Sequence, residues 1–383
     1  MSDIKKKIFD VSAIGITDLI GSATAAVFWL YIAAELGPEN YGELTFLISI
    51  ATIISGIALF GSNNTLLVLA AKKIDIQSTI YLVTIIANIV GSVIIFILFV
   101  NVGISFLVIA YAIFPLVTYD LLARKLFRNY SKYVIIQKIL LVTCGIGLYY
   151  LIGESGIIIG IALSHAHFII HIVNTFKKSK INFGLLKKKK KFILNNFALS
   201  ISGTFSGSLD KLIIAPLLGF GILGNYSLGI QFFAILNLLP AVCVKYLVTQ
   251  DIAGISNKIL KKIMVFTSIG IAIVGTTVGP MILSSIFPKF MDAENIIQIM
   301  SWAVIPITIQ SAYHFPKFWA QEQNKMILYT TITTIIVQIS SILILGPLYG
   351  SIGVAIAFVL GAICGVICST IIDRVFLKSF KEQ

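Results

Sequence analysis

A few charged side chains in this sequence interrupt runs of otherwise apolar residues. An ionisable group in such a run needs a partner or a wet cavity to offset its lost hydration. Asp18 lies about ten residues into the run 9–34, roughly 15 Å along a helix at 1.5 Å per residue, near the middle of a bilayer. Its helical face holds Gly21, Ser22, Ala25 and Trp29. Asp210 sits in the run 192–218 on a similar stripe of Asn196, Gly203, Ser206 and Gly207. In a water-filled cavity such carboxylates could meet cations, protons or sugar hydroxyls. The same small residues also let helices pack closely, with each Asp hydrogen-bonded across the contact. The sequence leaves both readings open.

The basic and amide residues raise a second chemistry. Lys211 follows Asp210 directly, about 100° around the helix, so the two are not expected to pair. Lys245 lies near the inner end of the run 222–249, with Asn237 and Ala241 eight and four residues before it and Pro240 predicted to bend the helix. A lysine there suits a phosphate entering from the cytoplasmic leaflet, and equally suits snorkelling to the interface. Asn63 and Asn64, at the end of the run 42–69, are candidates to line the inner mouth, though capping and packing explain them as well. Asp120 and Arg124 have the four-residue spacing of a helical ion pair, expected to be structural. Lys138 reads as a snorkelling anchor. His165, His167 and His171 invite a metal or proton relay, but only His167 and His171 share a face, no carboxylate accompanies them in sequence, and they fall outside the expected cavity helices. No metal site is predicted, and His314 is given no role. Cys144, Cys243, Cys364 and Cys368 all lie in apolar runs, where they act as small apolar side chains, and no disulfide is expected.

These residues are positioned by the apolar runs themselves. Of 383 residues 58% are hydrophobic and 12% charged, and the mean hydropathy is +0.99, which excludes an ordinary soluble domain. Runs such as 80–100 approach the roughly 20 residues of a membrane crossing. A transmembrane β-barrel would alternate apolar and polar residues, which these runs do not. The prediction is an all-α polytopic membrane protein of twelve helices, near residues 9–34, 42–69, 78–100, 102–123, 133–153, 155–176, 192–218, 222–249, 259–283, 294–316, 326–346 and 350–373. The first run begins like a signal peptide and is read as a retained span.

The net charge of +13 would suggest nucleic acid in a soluble protein. Here it follows topology, and no nucleic-acid partner is expected. With the amino terminus inside, every Lys and Arg except Lys138, Lys211, Lys245 and Lys289 falls on one face. The other face carries Lys289 with Glu35, Glu39, Glu43, Glu154, Asp292 and Glu294. This asymmetry predicts a multi-pass plasma-membrane protein with both termini cytoplasmic. The loop 177–191, with Lys177, Lys178, Lys180 and Lys187 to Lys191, reads as a flexible tether touching anionic lipid or as a regulatory docking site. It divides the chain into an amino-terminal six-helix lobe, 1–176, and a carboxy-terminal one, 192–383. Leu36-Gly37 and Tyr41-Gly42 match Leu218-Gly219 and Tyr226-Ser227, which suggests a parallel repeat with a substrate path between the lobes.

Three stretches carry a family likeness: Glu35-Leu-Gly-Pro-Glu-Asn-Tyr-Gly-Glu-Leu44; Ser208-Leu-Asp-Lys-Leu-Ile-Ile-Ala-Pro-Leu-Leu-Gly219 with Gly224-Asn-Tyr-Ser-Leu228; and Gly346-Pro-Leu-Tyr-Gly-Ser-Ile-Gly-Val-Ala-Ile-Ala357. In these the chain resembles the Wzx-like polysaccharide flippases of the multidrug/oligosaccharidyl-lipid/polysaccharide exporter superfamily. The resemblance implies a two-lobe, MATE-like transporter that moves an isoprenoid-phosphate- or diphosphate-linked saccharide to the outer leaflet by alternating access, beside other polysaccharide-assembly membrane proteins. Where that family usually has Arg after the aspartate of the seventh span, this chain has Lys211, a point charge in place of a bidentate fork.

An enzyme is not expected, since the outer loops are short and no phosphate-cradling Gly-rich motif is present. No cofactor is expected either. The competing reading is a drug antiporter of the same superfamily, with Asp18 or Asp210 binding a proton or sodium as coupling ion.

Overall fold

The computed structural model describes the backbone of residues 2–252, 257–321 and 323–379, and the side chains of 14–375 other than 245, 246, 248–250, 252–256, 322 and 324. Away from water the backbone must satisfy its own hydrogen bonds, and a helix does so within one segment. The apolar runs accordingly form α1 (Ser2–Ala58), α2 (Ser62–Ala71), α3 (Gln77–Phe99), α4 (Val102–Ala123), α5 (Phe127–Ile152), α6 (Glu154–Leu163), α7 (Ile169–Lys178), α8 (Phe183–Lys188), α9 (Lys190–Leu218), α10 (Phe220–Leu236), α11 (Leu238–Ile252), α12 (Lys258–Ile286), α13 (Ala293–Ser301), α14 (Val304–Ile309), α15 (Phe315–Ala320) and α16 (Asn324–Ser379).

Among the described residues eight helices are long and apolar enough to cross a membrane, or nine with the bent pair Phe220–Leu236 and Leu238–Val244 taken as one span. The protein is thus a multi-pass helical membrane protein. Two of the eight, Ile14–Ala58 and Lys325–Val375, are 45 and 51 residues long, about twice a crossing. Each is broken at a non-helical glycine, Gly37 or Gly350. The run 192–218 is helical as α9, but it is not among the eight, because Asn195, Asn196, Asp210, Lys211 and its serines dilute its apolar character.

Several expected spans are interrupted. The run 42–69 breaks at Phe60 and Gly61, both at positive φ. The run 155–176 passes through a short 3-10 turn, Ala166–Phe168, and the run 294–316 through a π-turn, Gln310–His314. The run 222–249 bends by 48°, and the break falls at Asn237, one turn before Pro240. Proline removes a donor and its ring crowds the preceding turn, so the bend precedes the proline itself.

The chain forms two compact units: Met1–Ile32 with Leu47–Ser208, and Ala33–Phe46 with Leu209–Gln383. In the first, α4 packs against α2, α3 and α6, and α6 against α5, around Leu66, Tyr81, Leu116, Leu121 and Phe168. The backbones of α5 and α6 touch. A Cβ on Gly160 would lie 2.5 Å from the Cys144 carbonyl oxygen, so the small residue sets the approach. In the second unit α13 packs against α10, α12 and α16, around Ile214, Tyr226, Ile296, Met300 and Ile342.

Four helix junctions share one backbone solution. Gly37 (φ 74°, ψ 177°) resembles Gly219 (φ 91°, ψ 165°), and Gly153 (φ 75°, ψ −154°) resembles Gly350 (φ 56°, ψ −129°). Residues with a side chain rarely adopt these conformations. The first pair also meets reciprocally within the second unit. A Cβ on Gly42 would lie 1.9 Å from the Phe220 carbonyl oxygen, and one on Gly224 would lie 1.8 Å from that of Pro38. Gly42 therefore corresponds to Gly224, not to Ser227 as the Tyr-based match suggested, because the contact selects for a missing Cβ and not for the tyrosine.

Gly224→Val should lower the melting temperature of the detergent-purified protein, with an overpacking penalty of about 1–3 kcal/mol. Gly203→Ala, at a helical position with nothing within 4 Å of the new Cβ, should leave it unchanged or raise it slightly.

Candidate functional site

Asp18, Asp210 and Asp120 each take at least one donor from another helix. Asp18, half-buried on α1, accepts a hydrogen bond from Tyr130 Oη of α5 at 2.7 Å. One residue earlier, Thr17 Oγ1 donates to Ser131 Oγ at 2.8 Å. Asp210 is 5% exposed and accepts from Tyr226 Oη of α10 at 2.6 Å and from the Lys211 backbone N–H at 2.8 Å. Gln338 Nε2 of α16 donates to the same tyrosine oxygen at 3.4 Å. Lys211 and Asp210 also pair directly, Nζ to Oδ1 at 3.4 Å, which corrects the expectation from helical geometry. Adjacent residues do not share a face, but the four-carbon lysine stem is long enough to curl back.

Asp120, 1% exposed, accepts from Arg124 Nε at 2.9 Å and from His171 Nε2 at 3.0 Å. His171 thus does have a carboxylate partner, contrary to the reading of the histidine group. The contact joins α4 to α7 across 51 positions of sequence, which no local spacing reveals. His314 stands 3.9 Å from Asp373, which also pairs with Lys317.

None of these carboxylates lines the polar cavity of the first unit. Its volume is about 520 Å³. Thr52, Ser55 and Gly56 of α1, Leu59 in the turn that follows it and Asn63 of α2 form one wall, the offsets of 3 and 4 residues from Thr52 placing Ser55 and Gly56 on its side of the helix. Tyr111 and Tyr119 of α4, Gln137 and Lys138 of α5, His165 and Thr204 complete the polar lining, and Trp29, Phe114, Pro115, Leu141 and Ile161 supply apolar wall. Ala25 and Trp29, from the stripe predicted around Asp18, do face the cavity. Asp18 does not.

The polar lining is unusual for what it leaves unpaired. Ser55 Oγ, Asn63 Oδ1 and Gln137 Oε1 are buried with no hydrogen-bond partner. Ser55 is 1% and Gln137 3% exposed, so neither exchanges freely with bulk solvent. Gln137 is oriented by its other end, since Nε2 donates to Ser164 Oγ at 3.1 Å. The Ile161 carbonyl lies 2.8 Å from His165 Nδ1. A carbonyl only accepts, so Nδ1 carries the hydrogen and neutral His165 has Nε2 as an acceptor. Lys138 is the cation of the lining, and among the described residues it makes no ion pair. The cavity therefore offers oxygen acceptors, tyrosine hydroxyls, an indole face and one ammonium group. Such a lining suits a ligand rich in hydroxyls and bearing an anion.

Of the other sequence candidates, Asn64 is half-buried on α2 outside this lining, and Asn237 is the residue at the α10–α11 bend. The Lys245 side chain lies outside the described residues. Of the lining residues, the sequence reading gave Lys138 a snorkelling role and His165 no functional role, and it did not single out Gln137 or Ser55. The spacing of Thr52, Ser55, Gly56 and Leu59 was the available signal, a weakly polar stripe inside an apolar run.

No family model and no curated protein matches the sequence. Solved structures do match the fold. The lipid II flippase MurJ in its inward closed conformation superposes with a TM-score of 0.75 at 15% identity, over 94% of this chain and 87% of that one. An inward-facing multidrug resistance MATE family transporter of the MOP superfamily gives 0.71 at 12% identity, over 98% and 99%. A MOP superfamily transporter from Pyrococcus furiosus gives 0.63 at 14% identity, over 98% and 96%. The chain has a MurJ- and MATE-like fold.

Tyr226→Phe should destabilise the protein by about 1–3 kcal/mol, because it strips a buried carboxylate of a donor. Thermal unfolding should show Tyr226→Phe costing less in an Asp210→Asn background than in the parent.

Proposed function

We propose that the protein is a plasma-membrane transporter, with both termini cytoplasmic, that moves a saccharide linked to an isoprenoid phosphate or diphosphate from the cytoplasmic to the outer leaflet by alternating access, for surface polysaccharide or glycan synthesis. The observation that carries this reading is the character of the cavity, in which unpaired oxygen acceptors surround one unpaired lysine and no carboxylate lines the wall among the described residues. Sugar hydroxyls are the donors those acceptors lack, and a phosphate is the anion that Lys138 lacks. At an effective dielectric near 20, opposite charges about 4 Å apart attract by about 4 kcal/mol, against about 1 kcal/mol in water. A single hydrogen bond contributes about 0.5–1.5 kcal/mol net. The lysine is thus the largest single term available to an anionic headgroup. Lys245 remains a further phosphate candidate, and Lys211 a weaker one because Asp210 already takes up its charge. The fold shared with the lipid II flippase MurJ supports the same reading.

A cation-coupled small-molecule antiporter is the second reading. It is favoured by the pair of tyrosine-bound carboxylates within helices, Asp18 and Asp210, which could exchange a proton or sodium, and by the fold shared with multidrug MATE transporters.

Reconstituted vesicles containing a fluorescent lipid-linked saccharide separate the two. Lys138→Met should reduce flipping at least tenfold, corresponding to about 1.4 kcal/mol, while the melting temperature is kept. An unchanged rate in a folded variant would remove the lysine from the mechanism. In the same vesicles the Asp18→Asn, Asp210→Asn double variant should keep its flipping activity. Gradient-driven efflux of a cationic drug by the parent, abolished in that double variant, would establish the antiporter instead.

A further inference from the structure

A second cavity of the first unit, about 350 Å³, opens where the basic loop packs beside α2 and α3. Its wall is mostly apolar, including Ile80, Val83, Leu186 and Leu194, and two lysines, Lys187 and Lys190, also line it. The loop here is not the flexible tether expected from its composition. Asn182 caps α8 by accepting from the Leu185 N–H at 3.0 Å. Its own backbone N–H donates to Thr79 Oγ1 of α3 at 2.8 Å, and Ser179 Oγ lies 2.5 Å from Ser78 Oγ. These bonds tie the loop backbone to the start of α3 and so place Lys187 and Lys190 beside an apolar pocket. Among the described residues neither lysine has an acidic partner.

An apolar recess with two cations at its rim matches a molecule with a hydrocarbon tail and an anionic head. A free anion would leave the recess empty. A peptide would bring backbone N–H and C=O groups into a wall with few polar groups to satisfy them. We propose that this cavity is a binding site for an anionic phospholipid, with one acyl chain in the recess and the phosphate paired with Lys187 and Lys190. The site is separate from the polar cavity around Lys138, and its assignment does not depend on what the protein transports.

Native mass spectrometry of the full-length protein in detergent, titrated with phosphatidylglycerol or with phosphatidylcholine, tests the site. At about fivefold per lysine, the parent should prefer phosphatidylglycerol by about 30-fold. Lys187→Gln with Lys190→Gln should abolish that preference, whereas Lys188→Gln with Lys189→Gln, which do not line the recess, should keep it. Val83→Trp, which fills the recess, should weaken both lipids. Should that variant not fold, the two lysine pairs still decide the matter. Equal loss from both lysine pairs, or no preference in the parent, overturns the proposal in favour of diffuse attraction to the basic loop. Displacement of phosphatidylglycerol by a long-chain isoprenoid phosphate at lower concentration overturns it in favour of the carrier lipid as occupant.

Discussion

The cost of holding a charge away from water governs this structure. Removing a charged group from water without compensation costs several kcal/mol even after relaxation, so each buried carboxylate draws a donor from elsewhere in the fold. Asp18 ties α1 to α5 through Tyr130, Asp210 ties α9 to α10 through Tyr226, and Asp120 ties α4 to α7 through His171. Tyrosine is an economical donor in this setting, because its hydroxyl satisfies a carboxylate oxygen without placing a second charge in the membrane. Helix packing in lipid lacks the hydrophobic drive that operates in water, so such bonds do much to specify which helices meet. Lys138 stands against that pattern, a cation in a polar cavity with no anion beside it.

The apolar runs and the isolated carboxylates within them were legible in the sequence, because hydropathy and charge are local properties. The partners were not. Tyr130 lies 112 positions from Asp18 and His171 lies 51 from Asp120, and only the fold brings them together. Lys211 misled for a different reason: helical geometry fixes where a Cβ points, but not where a flexible ammonium group ends. Asn63 was found because a polar residue ending an apolar run is conspicuous, whereas Ser55 and Thr52, eight and eleven residues earlier, are small enough to disappear into the run. The basic loop showed its charge but hid its order, since the bonds from Asn182 and Ser179 that fix it reach back about a hundred residues to Thr79 and Ser78.

The likeness between the two halves is clearer in the backbone than in the residues. Two short sequence matches suggested it, yet the dihedral pairs Gly37 with Gly219 and Gly153 with Gly350 express it more directly. A helix junction whose backbone takes a positive φ strongly favours glycine, while the flanking apolar positions require only volume and hydrophobicity. The reciprocal approach of residues 38–42 and 220–224 adds a second restriction of the same kind, since each chain fills the space that a side chain on the other would need.

The glycine junctions also set how this gene can drift. Along a lipid-facing helix, codons for Leu, Ile, Val and Phe can interchange with little effect on packing, so the encoded text can change widely while the helices stay in place. At the codons for Gly37, Gly153, Gly219 and Gly350 every missense change introduces a Cβ at positive φ. Mutational tolerance in this protein should therefore be strongly uneven, with long permissive stretches punctuated by single codons at which no amino-acid replacement is neutral.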